Sequence, residues 1–282
     1  MIKAFCYKDG YIAFQTPDVF KEGNAVIAAK DASGTILWSW HIWMTDQPEE
    51  QEYFNDAGIM MDRNLGATSA TPGDVGALGL LYQWGRKDPF LSGESIDSGW
   101  LVAKSTITWP SDVTSNKTRG TIGYSIANPT TFIRANTGYD SLDWNYPGTT
   151  TTGKTRWTGS SSPKSLYDPC PAGWRVPDGG VWARAANTAG NFDYPIDGSN
   201  KGMNFSGKFG SASTIWYPAS GSIGYSGDDV NSVGSYGYYW SASPFTYFGA
   251  KYTLWFSYDT VSTRAYNSPS EALSVRCSKE IK

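Results

Sequence analysis

The chain has 282 residues, of which 17% are charged and 15% are aromatic, and its formal net charge is −3. This charged fraction lies below the roughly 25% of an average globular domain. A nucleic-acid-binding protein needs a basic stripe, which this composition excludes. The sequence contains no run of 18 apolar residues, which a membrane-spanning helix would need. It also has neither the Gly-X-Y repeat of collagen nor the heptad repeat of a coiled coil. With one histidine and three cysteines, we expect no metal site and no cofactor.

The N-terminal part of the chain is predicted to form strands. Residues 11–14 are strand-like, and residues 24–29 and 35–43 flank a turn signal at Asp31–Gly34, which indicates a hairpin. We predict two units: residues 1–34, an N-terminal β-hairpin segment belonging to this domain or to the end of an upstream one, and residues 35–282, the main domain. No apolar signal core opens the chain. Either this is a cytoplasmic protein, or its natural N-terminus lies outside this chain. Its few lysines and many Asn, Thr, Ser and Trp residues favour the second interpretation, an exported protein.

Helices are predicted at two places. Residues 74–85 place apolar side chains at positions i, i+3, i+6 and i+7, and Asp74 can cap the start. A second short helix is expected over residues 181–186. Between them, residues 91–165 are rich in Thr, Ser, Asn and Gly, which indicates irregular structure with short strands, pinned by tryptophans.

Three groups of motifs stand out along the chain. The first group is WSWHIW at 38–43, MDRNLGA at 61–67 and YQWGRKDPF at 82–90. The second is YDPCPAGWRVP at 167–177. The third is YWSAS at 239–243 with LSVRC at 273–277.

Together these motifs resemble the Fibrobacter succinogenes major paralogous domain, especially its version in Bacteroidales fimbrial or pilus tip proteins. That family is similar to C-type lectin-like domains of the formylglycine-generating-enzyme type, and the resemblance covers about residues 35–280. It implies an α+β, C-type lectin-like fold with two helices, small twisted antiparallel sheets and extensive irregular loops. It also implies a binding role on the cell surface or fimbrium. The expected partner is a host or bacterial surface protein or glycan, or another pilus subunit.

Two cysteines lie in the strongest motifs. A disulfide between Cys170 and Cys277 would close a loop of about 107 residues and requires an oxidising compartment. Two buried free thiols are the alternative. Cys6 is left over and has no predicted partner.

The residues with catalytic or metal-binding chemistry favour a non-enzymatic protein. Formylglycine generation needs reactive cysteines, whereas Cys170 lies between two prolines with no second cysteine nearby. His41 lies in a Trp-rich strand, where a structural role is favoured over a catalytic one. Asp228 and Asp229 form a solvated turn, or else a calcium site built from oxygen ligands. A carbohydrate-active enzyme using this acidic pair is the least favoured alternative.

The stretch from residue 238 to residue 266 is the candidate binding surface, because 11 of its 29 residues are aromatic. Alternation within it predicts one core face, with Ala250, Tyr252, Leu254 and Phe256. The opposite face is predicted to lie outside the core, with Lys251, Thr253, Trp255 and Ser257. Tyr and Trp mixed with Ser and Thr are typical of adaptable binding surfaces. The predicted ligand-binding residues are Phe245, Tyr247, Phe248, Tyr252, Trp255, Tyr258, Arg264 and Tyr266.

This surface leads to a hypothesis of adhesion, with two alternatives and one sharper form. Ordinary packing explains part of the aromatic content, and a structural pilus subunit could use the same side chains for assembly. In the sharper form, the segment is rich in Tyr, Ser, Asp, Phe and Thr, the residue types that diversity-generating retroelements produce in some C-type lectin-like proteins. A neighbouring reverse transcriptase and a template repeat differing only at adenines would test that last idea.

Overall fold

The protein is described from a computed structural model, which covers residues 2–53, 57–96, 101–102, 111–137, 142–147, 156–184, 200–206, 214–227, 229–245, 249–257 and 260–280. These residues form a β-rich fold of many short strands and two short α-helices. The coarse expectation of small sheets with two helices is therefore confirmed.

The strands of the N-terminal half are β1 (Ala4–Lys8), β2 (Tyr11–Gln15), β3 (Gly23–Lys30), β4 (Ile36–Met44), β5 (Glu50–Glu52), β6 (Ile59–Met61), β7 (Leu81–Gln83), β8 (Leu101–Val102), β9 (Asp112–Thr114) and β10 (Phe132–Arg134). Those of the C-terminal half are β11 (Trp174–Arg175), β12 (Gly202–Ser206), β13 (Thr214–Pro218), β14 (Ser222–Ile223), β15 (Val230–Asn231), β16 (Gly237–Pro244), β17 (Lys251–Phe256), β18 (Val261–Asn267), β19 (Ala272–Ser274) and β20 (Ser278–Lys279). The helices are α1 (Ile122–Ala127) and α2 (Gly180–Arg184), with a 3₁₀ turn at Val75–Ala77.

The largest sheet has eight strands in the order β18-β17-β16-β19-β14-β15-β8, with β7 also pairing β19. A four-stranded sheet has the order β11-β20-β6-β5. The remaining strands form two-stranded pairs: β1 with β2, β3 with β4, β12 with β13, and the parallel pair β9 with β10. Because β19 pairs both β16 and β7, the large sheet joins chain segments that are far apart in sequence.

The core lies on both faces of the large sheet. On one face, Leu254 and Phe256 of β17 pack with Trp182 of α2 and with the β12–β13 hairpin. On the other face, Trp240 packs with Trp84 and with the Cys170–Cys277 region. A third cluster lies around β14 and β15. Both surfaces of the central strands are therefore covered, as in a layered domain.

The hairpin predicted from residues 24–29 and 35–43 is confirmed as β3 and β4, which pair antiparallel. The side chain of Trp43 in β4 donates to the backbone oxygen of Ala67 at 2.9 Å, which docks the hairpin on the main body. The predicted domain boundary between residues 34 and 35 falls in the turn of this hairpin and stays a prediction. The preceding hairpin, β1 and β2, turns at Asp9 and Gly10, both with positive φ, which is the geometry that two-residue hairpin turns favour.

The helix predicted over residues 74–85 is wrong in most of its length. Asp74 does accept from the backbone N–H of Gly76 at 2.8 Å, but the 3₁₀ turn ends at Ala77. Gly79, at φ +71, breaks the helical path, and residues 81–83 enter the large sheet as β7. Pairing with β19 therefore overrides the local helical periodicity.

The second predicted helix is confirmed as α2, and residues 185 and 186 lie outside the described residues. Helix α1 lies in the stretch predicted to be irregular. Thr121 caps it by accepting from the N–H of Tyr124 at 3.0 Å. Neither helix of the described part is long and apolar enough to cross a membrane.

Candidate functional site

Five of the eight predicted ligand-binding residues lie in the described residues. Phe245 follows β16, Tyr252 and Trp255 lie in β17, and Arg264 and Tyr266 lie in β18. The other three, Tyr247, Phe248 and Tyr258, lie outside the described residues. Among the described strands, β18 is the last of the large sheet, so it carries these side chains to one edge of the domain.

Three of the predicted residues form what we call the edge cluster: Phe245, Tyr252 and Tyr266. Tyr252 lies directly opposite Tyr266 across the β17–β18 pair, so both side chains share one face of the sheet. Phe245 stacks on Tyr266 with ring centroids 4.6 Å apart and an interplanar angle of 6°, and it meets Tyr252 edge-on at 5.1 Å. Tyr266 is 61% exposed. The edge cluster is therefore an aromatic surface that solvent reaches.

Trp255 does not belong to this cluster. It lies opposite Tyr238 on the other face of the sheet, and Tyr236 stacks on both. These three residues, which we call the stacked cluster, have centroid distances of 6.1 and 6.2 Å from Tyr236. Burial raises the pKa of Tyr238, and its hydrogen bond with Trp255 opposes that rise. The structure therefore divides the single predicted surface into two.

Sequence reasoning missed Tyr236 as a member of this arrangement. It lies two residues before Tyr238, and such spacing places both side chains on the same face of an extended chain. The predicted stretch began at residue 238, so this alternation fell just outside it.

The prediction that the second face of β17 lies outside the core is wrong. Lys251, Thr253 and Ser257 are 2%, 0% and 7% exposed. The Lys251 ammonium lies 4.1 Å from the ring centroid of Trp84, and the Thr253 hydroxyl donates to Asn267 at 2.9 Å. Aromatic rings and amide partners cover this face, so its polar residues are buried with interactions rather than exposed.

Arg264 lies where the pairing of β17 with β18 shifts register. The shift falls between Thr253 and Trp255 of β17. Arg264 is exposed, whereas its neighbours Thr263 and Ala265 are half-buried. Bulges of this kind re-aim side chains at sheet edges. The guanidinium is thus available beside the edge cluster.

The two strongest motifs meet at a disulfide. Cys170 and Cys277 are joined, and Cys6 is a free, exposed cysteine. Nearby, the Asp168 carboxylate accepts from the backbone N–H groups of Cys170 and Val176 at 2.9 and 3.0 Å, which fixes the bend of the motif. Burial raises the pKa of Asp168.

His41 is held as a structural side chain. Its Nε2 lies 2.8 Å from the Asn24 side-chain oxygen, and its Nδ1 lies 3.2 Å from the Tyr82 hydroxyl. Burial lowers its pKa to about 4, so the ring is neutral at pH 7. Of the acidic pair considered for calcium, Asp228 lies outside the described residues. In the described part of the chain, no group of three or more His, Cys, Asp or Glu side chains is placed to hold a metal ion.

Comparison with protein-family models, with curated proteins and with solved structures finds no match for this chain. The family resemblance drawn from the motifs therefore stays a prediction.

Proposed function

We propose that this chain is a ligand-binding adhesin domain of the cell surface, with a C-type lectin-like fold and a place at the tip of a fimbrium. The observation that carries the proposal is the edge cluster, an exposed aromatic surface at the margin of the large sheet. The motif resemblance supports the fold and the location. The Cys170–Cys277 disulfide is consistent with an oxidising, extracellular compartment.

The chemistry of the edge cluster suits recognition better than packing. Tyr266 keeps 61% of its surface accessible while its ring stacks on Phe245, so its position is ordered before any ligand arrives. Rigid aromatic side chains offer contact area at a low cost in conformational entropy. Arg264 adds an exposed charge beside them. Exposed aromatic patches rimmed by polar residues are typical of interaction sites.

The experiment is a binding screen with matched tyrosine variants. The labelled chain is applied to an array of glycans and host surface proteins, and affinity for each positive ligand is then measured for Tyr266→Ser. Loss of a well-placed aromatic contact costs roughly 2 kcal/mol, or about a 30-fold weaker Kd. The control is Tyr225→Ser, since Tyr225 is 40% exposed but precedes β15, at the far side of the sheet.

A weaker Kd for Tyr266→Ser, with an unchanged Kd for Tyr225→Ser, supports the proposal. Equal losses in both variants, or no binding to any array member, would reject the edge cluster as the recognition surface.

A structural pilus subunit is the second candidate, and the β1–β2 hairpin favours it. Phe5 and Tyr7 are each 74% exposed, and Phe14 is 43% exposed. Their register places all three on one face of the hairpin. A two-stranded hairpin is only marginally stable alone, so a partner surface would stabilise it. Phe5→Ser should abolish pilus assembly under this alternative, whereas under the adhesin proposal pili form normally and ligand binding depends on Tyr266.

A further inference from the structure

A cleft of about 420 Å³ lies beside the four-stranded sheet, and the proposed adhesin surface does not include it. Its walls come from β5, β6, β11, β20 and the start of α2. Its charged lining side chains are Glu52, Arg175, Asp178, Lys279 and Glu280. Two of them, Arg175 and Asp178, belong to or directly follow the YDPCPAGWRVP motif, which the adhesin proposal leaves without a role.

Arg175 is a buried guanidinium with only one of its three nitrogens occupied. Nη2 donates to the backbone oxygens of Thr158 and Gly159 at 2.8 Å and of Ser162 at 3.0 Å. Nε is buried without a hydrogen-bond partner, and Nη1 donates to no described residue. The side chain is 7% exposed, and no ion pair of the described residues includes it.

This arrangement has a physical cost that a ligand could relieve. The charge of Arg175 acts on the Asp168 carboxylate, but the two side chains form no ion pair. The buried Nε donor has therefore lost water and gained no acceptor, which is unfavourable. The three carbonyl contacts hold the guanidinium plane in one position, so little entropy is lost when a further acceptor binds. A carboxylate is the acceptor that an arginine in this state recognises best.

The rest of the cleft restricts which kind of molecule can carry that carboxylate. Asp178 accepts from the N–H and hydroxyl of Ser160, and Lys279 pairs with Glu50 at 2.6 Å. The acidic side chains Glu52, Asp178 and Glu280 favour a ligand that also has hydroxyl or amide donors. Ile59 and Val181 offer an apolar wall for C–H groups. A simple multivalent anion fits poorly beside three carboxylates, whereas a sugar acid combines one carboxylate with hydroxyl donors and C–H groups.

We propose that this cleft binds a carboxylated sugar, such as a sialic or uronic acid, with its carboxylate on Arg175. The inference rests on the proposed function, since it supplies the ligand class for an adhesin. The cleft and the edge cluster lie on neighbouring backbone: a Cβ on Gly179, which follows Asp178 of the cleft, would lie 3.1 Å from the Cβ of Tyr252.

The test is an NMR titration of the whole chain with four probes, following the Arg175 Nε–H resonance. The probes are the methyl glycoside of N-acetylneuraminic acid, methyl glucuronide, neutral methyl glucoside and an acetylated dipeptide with a free C-terminus. One or both sugar acids should shift the Arg175 signal and the amide signals of Asp178 and Lys279, and methyl glucoside should not. Arg175→Lys, which keeps the charge but loses the planar fork, should weaken binding at least about tenfold.

Several results would overturn the proposal. These are no shift with either sugar acid, equal shifts with methyl glucoside, or tighter binding of the dipeptide, which would assign the cleft to peptide C-termini. If Arg175→Lys fails to fold, the wild-type titration still decides. Tyr225→Ser, which changes a surface tyrosine outside both sites, should leave the Kd of these small probes unchanged. The array screen with Tyr266→Ser tests the edge cluster by itself, so failure of the cleft and failure of the edge cluster are distinguished by separate measurements.

Discussion

Breaking the Cys170–Cys277 disulfide should remove a large part of the stability of this domain. The bond joins residues 107 apart in sequence and holds β11 beside β20. That strand pair consists of only two residues from each strand, so it contributes few hydrogen bonds of its own. The cross-link adds a covalent constraint to the core packing that also joins the two motifs here.

The expected magnitude follows from the loop length. In the chain-entropy description, a cross-link that closes about 107 residues stabilises the folded state by about 5 kcal/mol. After reduction, the two thiols stay in an apolar cluster, since Cys277 is 0% exposed and Cys170 is 5% exposed. Small buried thiols are tolerated in a core, so the native state changes little and the loss arises in the unfolded chain. Against a typical total of about 5–15 kcal/mol, the reduced protein should be marginal.

The assay is urea unfolding followed by tryptophan fluorescence, with and without a phosphine reductant. Cys6→Ser is used throughout to remove the exposed thiol. The free energy of unfolding should fall by about 5 kcal/mol on reduction. The double variant Cys170→Ala/Cys277→Ala should have the free energy of unfolding of the reduced protein, and the reductant should not change it. A difference below about 1 kcal/mol between oxidised and reduced protein would refute the reasoning, because the closed loop would then contribute little.

Two further predictions concern buried titratable side chains. Burial lowers the pKa of His41 to about 4, so between about pH 6.5 and pH 4 the unfolded chain binds a proton that the folded protein does not. Stability should therefore fall with falling pH, by about 3 kcal/mol at pH 4. In urea unfolding at pH 7 and pH 4, the His41→Gln variant should lack this part of the pH-dependent loss in the free energy of unfolding. An identical pH dependence in the variant and the original protein would show that the loss arises from other groups. Asp143 forms a buried ion pair with Arg156, and the two side chains are 3% and 0% exposed. Asp143→Asn breaks this pair and should lower the free energy of unfolding, measured by thermal unfolding, by about 3–5 kcal/mol. The exposed pair of Lys3 and Asp18 supplies the control: Asp18→Asn should leave the midpoint unchanged, and equal losses in both variants would contradict the argument.

Local patterns in the sequence were sufficient where structure depends on near neighbours. The hairpin of β3 and β4 follows from strand residues around a turn, and the side-chain contact of Asp74 with Gly76 follows from capping chemistry. Helix α2 begins just after the Pro-Asp-Gly-Gly sequence, as expected. The aromatic content of the C-terminal stretch also identified residues that reach the surface, with Tyr266 the most exposed of those described.

What only the tertiary structure decided depends on contacts between distant segments. Tyr82 pairs with Leu273, about 190 residues later, and this pairing converts a helical pattern into a strand. Lys251 is buried because Trp84, from a segment far earlier in the chain, lies over it. Arg175 keeps an unoccupied buried donor because the loop that folds over it brings carbonyl oxygens that bind Nη2 alone, and Asp168, whose carboxylate its charge affects, forms no ion pair with it. The sequence by itself determined a disulfide-capable, aromatic-rich β domain. Long-range packing decided which faces are core and which side chains remain available to a ligand, because burial depends on neighbours that local periodicity does not specify.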